Sequence, residues 1–175
     1  MIDVRAHLAD PGPALEAAFR RIQHERMAGV GILHPGLEVE AVGFRRHGDH
    51  WIGALVTPWF LDLVRVPGDV AGWSRVADGK RSFVRLPRGD FAFLGAWEPE
   101  LGEFQSCSLV SPMSSFADQA GARETACEAL ALALTPPDSA DGEGADATRA
   151  EGARGGRAAV AQPGRRGFLF GRAAG

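Results

Sequence analysis

The sequence is poor in the residues that build metal sites and membrane spans. It contains only two cysteines, Cys107 and Cys127, in 175 residues. Two thiols cannot form a four-cysteine zinc site or a rubredoxin-type iron site within the chain. No apolar run approaches the roughly 18 residues that a membrane-spanning helix needs, and the first residues do not resemble a secretory signal. We therefore expect a cytoplasmic protein with free thiols and no stable membrane insertion.

Lysine is almost absent, and the positive charge is carried by arginine. Lys80 is the only lysine, and the formal net charge of the chain is -3. A chain of this charge has no general electrostatic attraction to nucleic acid or to anionic lipid. We therefore expect no nucleic acid among its partners.

Residue patterns that are typical of enzymes and cofactor sites are missing as well. No glycine pattern matches a phosphate-binding loop or a dinucleotide fingerprint, and no histidine pair has the zinc-site spacing on one helix face. The carboxylates Asp62, Glu100 and Glu103 have no visible acid/base partner. His47 and His50 flank a turn and could form a weak metal pair, although solvated turn residues are the simpler interpretation. We expect no catalytic residue, no cofactor and no metal.

Two helices are indicated by apolar residues at helical spacing. The first is predicted over residues 13–27, with an apolar face formed by Leu15, Ala18, Phe19 and Ile22. The second is predicted over residues 116–134, with Ser114 or Ser115 as its N-terminal cap. Its predicted apolar face runs through Phe116, Ala120, Cys127, Leu130 and Leu134.

Between the helices the sequence predicts hairpin-linked strands. The predicted strands are residues 37–44, 51–57, 60–66, 82–86, 90–97 and 103–110, of which 60–66 could instead be a short helix. This order of elements predicts an α+β domain over residues 1–134, with both helices covering one face of a mainly antiparallel sheet.

The hydrophobic periodicity ends after residue 134. Residues 135–163 are rich in Ala, Gly, Asp and Arg and low in bulky apolar residues, which predicts a disordered linker. Residues 164–175 form a separate tail segment that begins with GRRGFLFGR. Two arginines before an apolar stretch are typical of a twin-arginine export signal, but such signals belong at the N-terminus.

Cys107 and the four tryptophans leave alternatives open. A cysteine in a predicted strand is usually a small buried hydrophobe, which favours a structural thiol over a redox residue or a transient ligand. Trp51 and Trp97 fall within predicted strands and are expected in the core. Trp59 and Trp73 fall in loops or at an edge, where a ring either packs internally or forms a binding surface.

Several short motifs together resemble one protein family. They are Leu33-His34-Pro35, Thr57-Pro58-Trp59, Ser106-Cys107-Ser108-Leu109 with Ser111-Pro112, and the tail from Gly164-Arg165-Arg166 to Phe170-Gly171-Arg172. In this order and spacing they resemble the HybE family of nickel–iron hydrogenase assembly chaperones, which includes the HupJ and HoxT proteins. The resemblance runs from the first predicted helix to the second and resumes in the tail.

The resemblance implies an accessory chaperone that is not an enzyme. Its partners would be hydrogenase precursor subunits before export, namely the small-subunit precursor with its twin-arginine signal and/or the large subunit, and other maturation proteins. The residues expected to bind partners are His34, Pro35, Pro58, Trp59, Cys107, Pro112, Arg165, Arg166, Phe168 and Phe170. A second hypothesis is a redox or iron–sulfur cluster protection factor that acts during small-subunit maturation, with Cys107 as a transient ligand or an oxidation sensor.

The tail itself admits two hypotheses. Phe168 to Phe170 could add an edge strand to the sheet, which is the simpler option because strand addition needs no special groove. Alternatively, the tail could imitate a twin-arginine signal and occupy the chaperone's own signal-peptide groove at high effective concentration.

Overall fold

A computed structural model describes residues 4–137 of the chain. Most of the predicted linker and the whole predicted tail, including Arg165, Arg166, Phe168 and Phe170, lie outside the described residues. None of the helices within residues 4–137 is both long and apolar enough to cross a membrane.

The first helix, α1, spans Gly12–Glu25 and confirms the predicted apolar face. Leu15, Ala18, Phe19 and Ile22 are all buried. Pro13 lies in the first turn, where its missing N–H and fixed φ favour the start of a helix.

The second helix, α2, spans Gln119–Ala133, three residues later than its predicted start. Its cap is Asp118, whose side chain accepts a hydrogen bond from the Gly121 N–H at 2.9 Å, so the prediction of a serine cap is wrong. The segment before it is a turn, closed by the Phe116 N–H and the Met113 carbonyl at 3.1 Å.

The buried face of α2 also differs from the predicted one. It consists of Ala122, Ala126, Leu130 and Ala133, whereas Ala120 and Cys127 are exposed. The burial that the sequence predicted for Cys127 is therefore wrong. Because alanine occurs all around this helix, hydrophobicity alone does not determine which side packs against the sheet.

Six strands form one antiparallel sheet in the described part of the chain. They are β1 (Glu40–His47), β2 (His50–Val56), β3 (Leu61–Pro67), β4 (Arg81–Leu86), β5 (Gly89–Glu98) and β6 (Gly102–Val110), in the order β1-β2-β3-β6-β5-β4. The β1–β2 connection is tighter than predicted, because Gly48 adopts a φ of 62° and the strands extend to His47 and His50. The segment that could have been a short helix is strand β3.

The two helices pack on opposite faces of the sheet, so the prediction that both cover one face is wrong. Alternate residues of β2 and β3 contribute to two separate cores. Leu55 and Val64 pack with Phe19 of α1, whereas Ala54 and Leu63 pack with residues of α2. We call these sides the α1 face and the α2 face. The α+β class with helices packed on an antiparallel sheet is confirmed.

The burial of the four tryptophans differs in part from the prediction. Trp51 packs against the core of the α1 face, and its Nε1 donates to the His7 carbonyl at 2.8 Å. Trp59 and Trp73 are buried, so their rings pack internally. Trp97 is exposed although it lies in a strand, and its predicted place in the core is wrong.

Candidate functional site

Three loops meet at one end of the sheet and bring the family-like motifs together. They are residues 30–36 before β1, residues 57–60 between β2 and β3, and residues 111–118 after β6, which we call the loop cluster. The end of β6 lies beside the start of β3, since Leu61 pairs with Val110. Motifs that are separated by more than 70 residues in sequence therefore become neighbours in space.

His34 connects all three loops. Its backbone N–H donates to the Pro58 carbonyl at 2.8 Å, and its ring Nε2 lies 3.0 Å from the Phe116 carbonyl. Its ring Nδ1 accepts from the Gly36 N–H at 3.1 Å. Because a carbonyl can only accept and a backbone N–H can only donate, these contacts select the Nε2–H tautomer. The family-like His34 is therefore a positioning residue within the loop cluster.

The turn between β2 and β3 is held by two hydroxyl side chains. Thr57 Oγ1 accepts from the backbone N–H groups of Trp59 and Phe60, at 3.2 and 2.9 Å. Ser111 Oγ donates to the Trp59 carbonyl at 3.1 Å, and the peptide bond from Ser111 to Pro112 is cis. These contacts fix the turn against the loop that follows β6.

The residues of the loop cluster that are expected to bind partners differ in their exposure to solvent. Pro35 and Pro112 are exposed, and His34 is half-buried. Pro58 is buried, and Trp59 is 8% exposed and packs edge-on against Phe60 with ring centroids 5.5 Å apart. Trp59 therefore packs beneath the surface of the loop cluster, whereas Pro35 and Pro112 form part of that surface. Their roles in binding stay predictions.

Sequence reasoning missed the largest exposed apolar side chain of this region. Ile32 is exposed, as is Val30, and both precede the half-buried Leu33 in the same loop. Val30 lies between two glycines and Ile32 follows the second of them, so neither residue belongs to a helical or strand periodicity that would distinguish it. Together with Pro35 and Pro112 they give the loop cluster an apolar surface suited to binding a protein.

Cys107 lies on the α2 face of β6 and is buried. Burial, with a smaller contribution from the nearby Asp62 carboxylate, raises the pKa of the Cys107 thiol to about 11. The thiol is therefore protonated near neutral pH, although redox and ligand chemistry require the thiolate. This environment favours the structural interpretation of Cys107 over the reactive one.

His47 and His50 lie beside a buried cation. Arg65 Nη2 is 3.3 Å from His50 Nδ1, and the guanidinium lies over the rings of Trp73 and Phe93. Burial, followed by the charges of Arg65 and His47, lowers the pKa of His50 to about 3. A neighbouring positive charge opposes a bound metal cation. Within residues 4–137 no group of three or more His, Cys, Asp or Glu side chains could hold a metal.

Asp62 is the second residue of β3 and follows directly on the loop cluster. It is 6% exposed, and its Oδ1 is buried without a hydrogen-bond partner. Burial raises the pKa of Asp62 to about 6, although hydrogen bonding by Ser108 and Ser106 lowers it. The sequence showed Asp62 only as an isolated carboxylate, because burial depends on how the strands are arranged.

Comparison with known proteins determines the family. The family model described as "[NiFe]-hydrogenase assembly, chaperone, HybE" matches residues 10–171, which is most of the chain. The chain belongs to the HybE family. The description names an assembly chaperone, a class of protein that is not an enzyme, and the resemblance carried by the short motifs is confirmed.

Named relatives of this HybE-family chain include two hydrogenase-associated proteins. The protein HoxT of Cupriavidus necator is 42% identical over 135 residues, covering 71% of this chain and 75% of HoxT. The hydrogenase expression/formation protein HupJ of Bradyrhizobium diazoefficiens is 39% identical over 128 residues, covering 73% and 74% of the two chains.

The fold of this HybE-family chain is also found in a solved structure. The solution structure of HybE from Escherichia coli superposes with a TM-score of 0.63 at 24% identity, covering 87% of this chain and 96% of that one. This likeness shows that the two proteins share a fold.

Proposed function

We propose that this protein is a cytoplasmic chaperone that binds precursor subunits of a nickel–iron hydrogenase before export. Its main partner is the small-subunit precursor with its twin-arginine signal, and the large subunit and other maturation proteins are further partners. Membership of the HybE family supports the hydrogenase as the general partner. Holding a precursor until it is complete requires a binding surface and no catalytic group.

The observation that carries the proposal is the meeting of the motif residues in the loop cluster. His34 and Ser111 bring Pro35, Pro112 and Ile32 to one end of the sheet, where exposed apolar side chains lie on a rigid support. An apolar surface held by internal hydrogen bonds loses little conformational entropy when a partner binds.

Capture of the precursor by an affinity-tagged protein tests the proposal, with Ile32→Asp as the informative variant. A charge in the middle of an apolar contact has to be desolvated, so we expect Ile32→Asp to reduce capture at least tenfold. Val70→Asp is the matched control, because Val70 and Ile32 are both 50% exposed but Val70 lies in the β3–β4 connection.

Equal capture by Ile32→Asp and the unchanged protein would show that the loop cluster is not the binding surface. Failure of the unchanged protein to capture either precursor subunit would contradict the proposed function itself. Trp59→Ala is a poor test of the surface, since removing a buried tryptophan costs about 3–5 kcal/mol of folding stability.

A further inference from the structure

Part of the α1 face, on β5 and β4, carries exposed apolar side chains that no helix of the described residues covers. Helix α1 lies against β1, and its Phe19 reaches Phe60 and Phe104, but β5 and β4 continue beyond it. Phe83 of β4 is 73% exposed there, and Leu94 of β5 is exposed as well. We call this part of the sheet the open face.

The register of the strands defines the side chains of the open face. Ser106 of β6 pairs with Val64 on one side and with Leu94 on the other, and Leu94 pairs with Arg81. Side chains two residues apart on a strand point to the same side. Asp62, two residues before Val64, therefore lies where the part covered by α1 gives way to the open face.

Asp62 is the chemically unusual residue of this region. No arginine or lysine within residues 4–137 forms an ion pair with it. Its buried Oδ1 accepts no hydrogen bond, and the hydroxyl groups of Ser106 and Ser108 are the neighbours that bond the carboxylate. A buried carboxylate without a cation is unfavourable, so natural proteins normally pair such groups. Asp62 itself is 6% exposed, and Ser108, its partner on β6, is exposed, so one side chain separates the carboxylate from the surface of the open face.

We propose that Asp62 binds the guanidinium of an arginine in an extended peptide whose bulky apolar side chains lie on the open face over Leu94 and Phe83. This inference rests on the proposed function and names the part of the partner that is recognised. Arginine fits better than lysine, because a planar and weakly hydrated guanidinium can enter a partly apolar site and bond a carboxylate with two N–H groups.

The charges at the far edge of the sheet fix the direction of the peptide. Arg81 and Arg85 stand on β4, three strands away from Asp62, or about 14 Å at the usual strand spacing. Arg85 is paired with Asp90 at 3.2 Å, which leaves no attraction for a second cation at that edge. The arginine of the peptide therefore belongs at β3 and its apolar residues toward β4, about four extended residues further on.

The test measures binding of a labelled synthetic peptide to the full chain by fluorescence anisotropy at pH 7.5. The peptide contains Arg-Arg-Gly-Phe-Leu-Phe, the order found at residues 165–170, and its twin has glutamine in place of both arginines. We expect Asp62→Asn to weaken binding of the arginine peptide at least tenfold and to leave binding of the glutamine twin unchanged. Asp90→Asn, which removes an exposed carboxylate from β5, should change neither Kd more than twofold.

Asp62→Asn keeps the test clear of folding artefacts, because removing a buried charge should raise the melting temperature. Absence of binding by the unchanged protein would overturn the inference, and so would equal weakening of both peptides by Asp62→Asn. Precursor capture by the unchanged protein is independent of this peptide. If capture succeeds and the peptide result fails, the proposed function stands and the role of Asp62 does not.

Discussion

At the residue scale, the four buried charges within residues 4–137 are stabilised to different degrees. Glu98 forms ion pairs with Arg21 and Arg26. Glu103 accepts hydrogen bonds from Trp73 Nε1 and the Val76 N–H, and pairs with Arg75. Arg65, in contrast, has a neutral amide, a neutral histidine and two aromatic faces as its partners. Asp62 has no cationic partner among the described residues, and hydroxyl groups of Ser106 and Ser108 bond its carboxylate. A residue kept at such a cost to folding is a candidate for function.

Asp62→Asn should stabilise the protein at pH 7.5 by up to about 3 kcal/mol. The pKa of Asp62 is raised from 3.8 to about 6 in the folded state. Between these values the unfolded chain has released the proton while the folded protein still holds it, so stability falls as the pH rises from 4 to 6. Above pH 6 Asp62 has lost its proton in both states, and the free-energy cost of its charge to the folded state stays constant. The pKa differs by about two units between the states, and each unit corresponds to about 1.4 kcal/mol.

Urea unfolding of both proteins at several pH values measures this difference. The two free energies of unfolding should converge as the pH falls below 3.8, where Asp62 becomes protonated in the unfolded as well as the folded state. Other titrating groups, such as His50, affect both proteins equally and cancel in the difference. A variant that is no more stable at pH 7.5 than the unchanged protein would show that Asp62 has an unrecognised favourable partner.

At the element scale, β1 and α2 are coupled through an irregularity in the strand. The register of β1 shifts between Val42 and Arg45, and Gly43 adopts a φ of 64° there. A Cβ added to Gly43 would lie 2.9 Å from Leu130 Cδ2 of α2. The bulge therefore brings the backbone of β1 so close to α2 that an added methyl group would have to displace the Leu130 side chain, at a φ that favours glycine.

Gly43→Ala should lower the free energy of unfolding by about 2–4 kcal/mol, through a strained φ and an overpacked contact with Leu130. Gly48→Ala is the matched control, because Gly48 has a φ of 62° but no atom within 4 Å of an added Cβ. We expect it to cost only the strain, about 1–2 kcal/mol. Equal losses in urea unfolding of the two variants would mean that α2 yields to the added methyl group.

The elements themselves were largely predictable, but their arrangement was not. The spacing of Leu15, Phe19 and Ile22 indicated α1 and its buried face, because bulky side chains there contrast with charged ones. The face of α2 was misjudged because its packing side is mostly alanine, which differs little from the rest of the helix. Strand periodicity shows that neighbouring side chains point to opposite sides of the sheet, but it does not show which helix packs on which side. The placement of α1 and α2 on opposite faces was therefore not predictable from the sequence.

The candidate site was predictable to a similar extent. His34, Pro35 and Pro112 were indicated through short motifs that share no periodicity, and the fold brings them together. Asp62 and Ile32 were not indicated, because an isolated carboxylate or isoleucine in a sequence reveals nothing about its burial. Their importance depends on strand pairing and loop packing, which are long-range properties.

At the scale of the whole molecule, the described residues form two cores on one sheet, with the loop cluster at one end. The open face begins at Asp62, directly beside that cluster, so the two proposed contact regions are continuous. A partner could contact the apolar loops and place an arginine at Asp62 in the same binding event. Linked contacts of this kind increase affinity by raising the effective concentration of the second contact.

Ending the chain after Pro137 should leave the melting temperature within a few degrees of the full protein. Among the described residues, the buried members of the two cores run from Leu15 to Ala133, and we expect each core to keep this packing when residues 138–175 are removed. Differential scanning calorimetry of the two chains makes the comparison. A fall of 10 °C or more would contradict this expectation and show that residues 138–175 contribute a substantial part of the folding free energy, as an edge strand formed by the tail would.

A second truncation, after Pro163, separates the two hypotheses for the tail. If Phe168 to Phe170 add an edge strand, this truncation lowers the melting temperature and leaves peptide affinity nearly unchanged. If GRRGFLFGR competes for a signal-peptide site, the truncated protein binds the arginine peptide more tightly and melts as before, because an intramolecular competitor has been removed. In the second case Asp62→Asn should abolish the gain in affinity, since the competitor and the peptide would then use the same carboxylate.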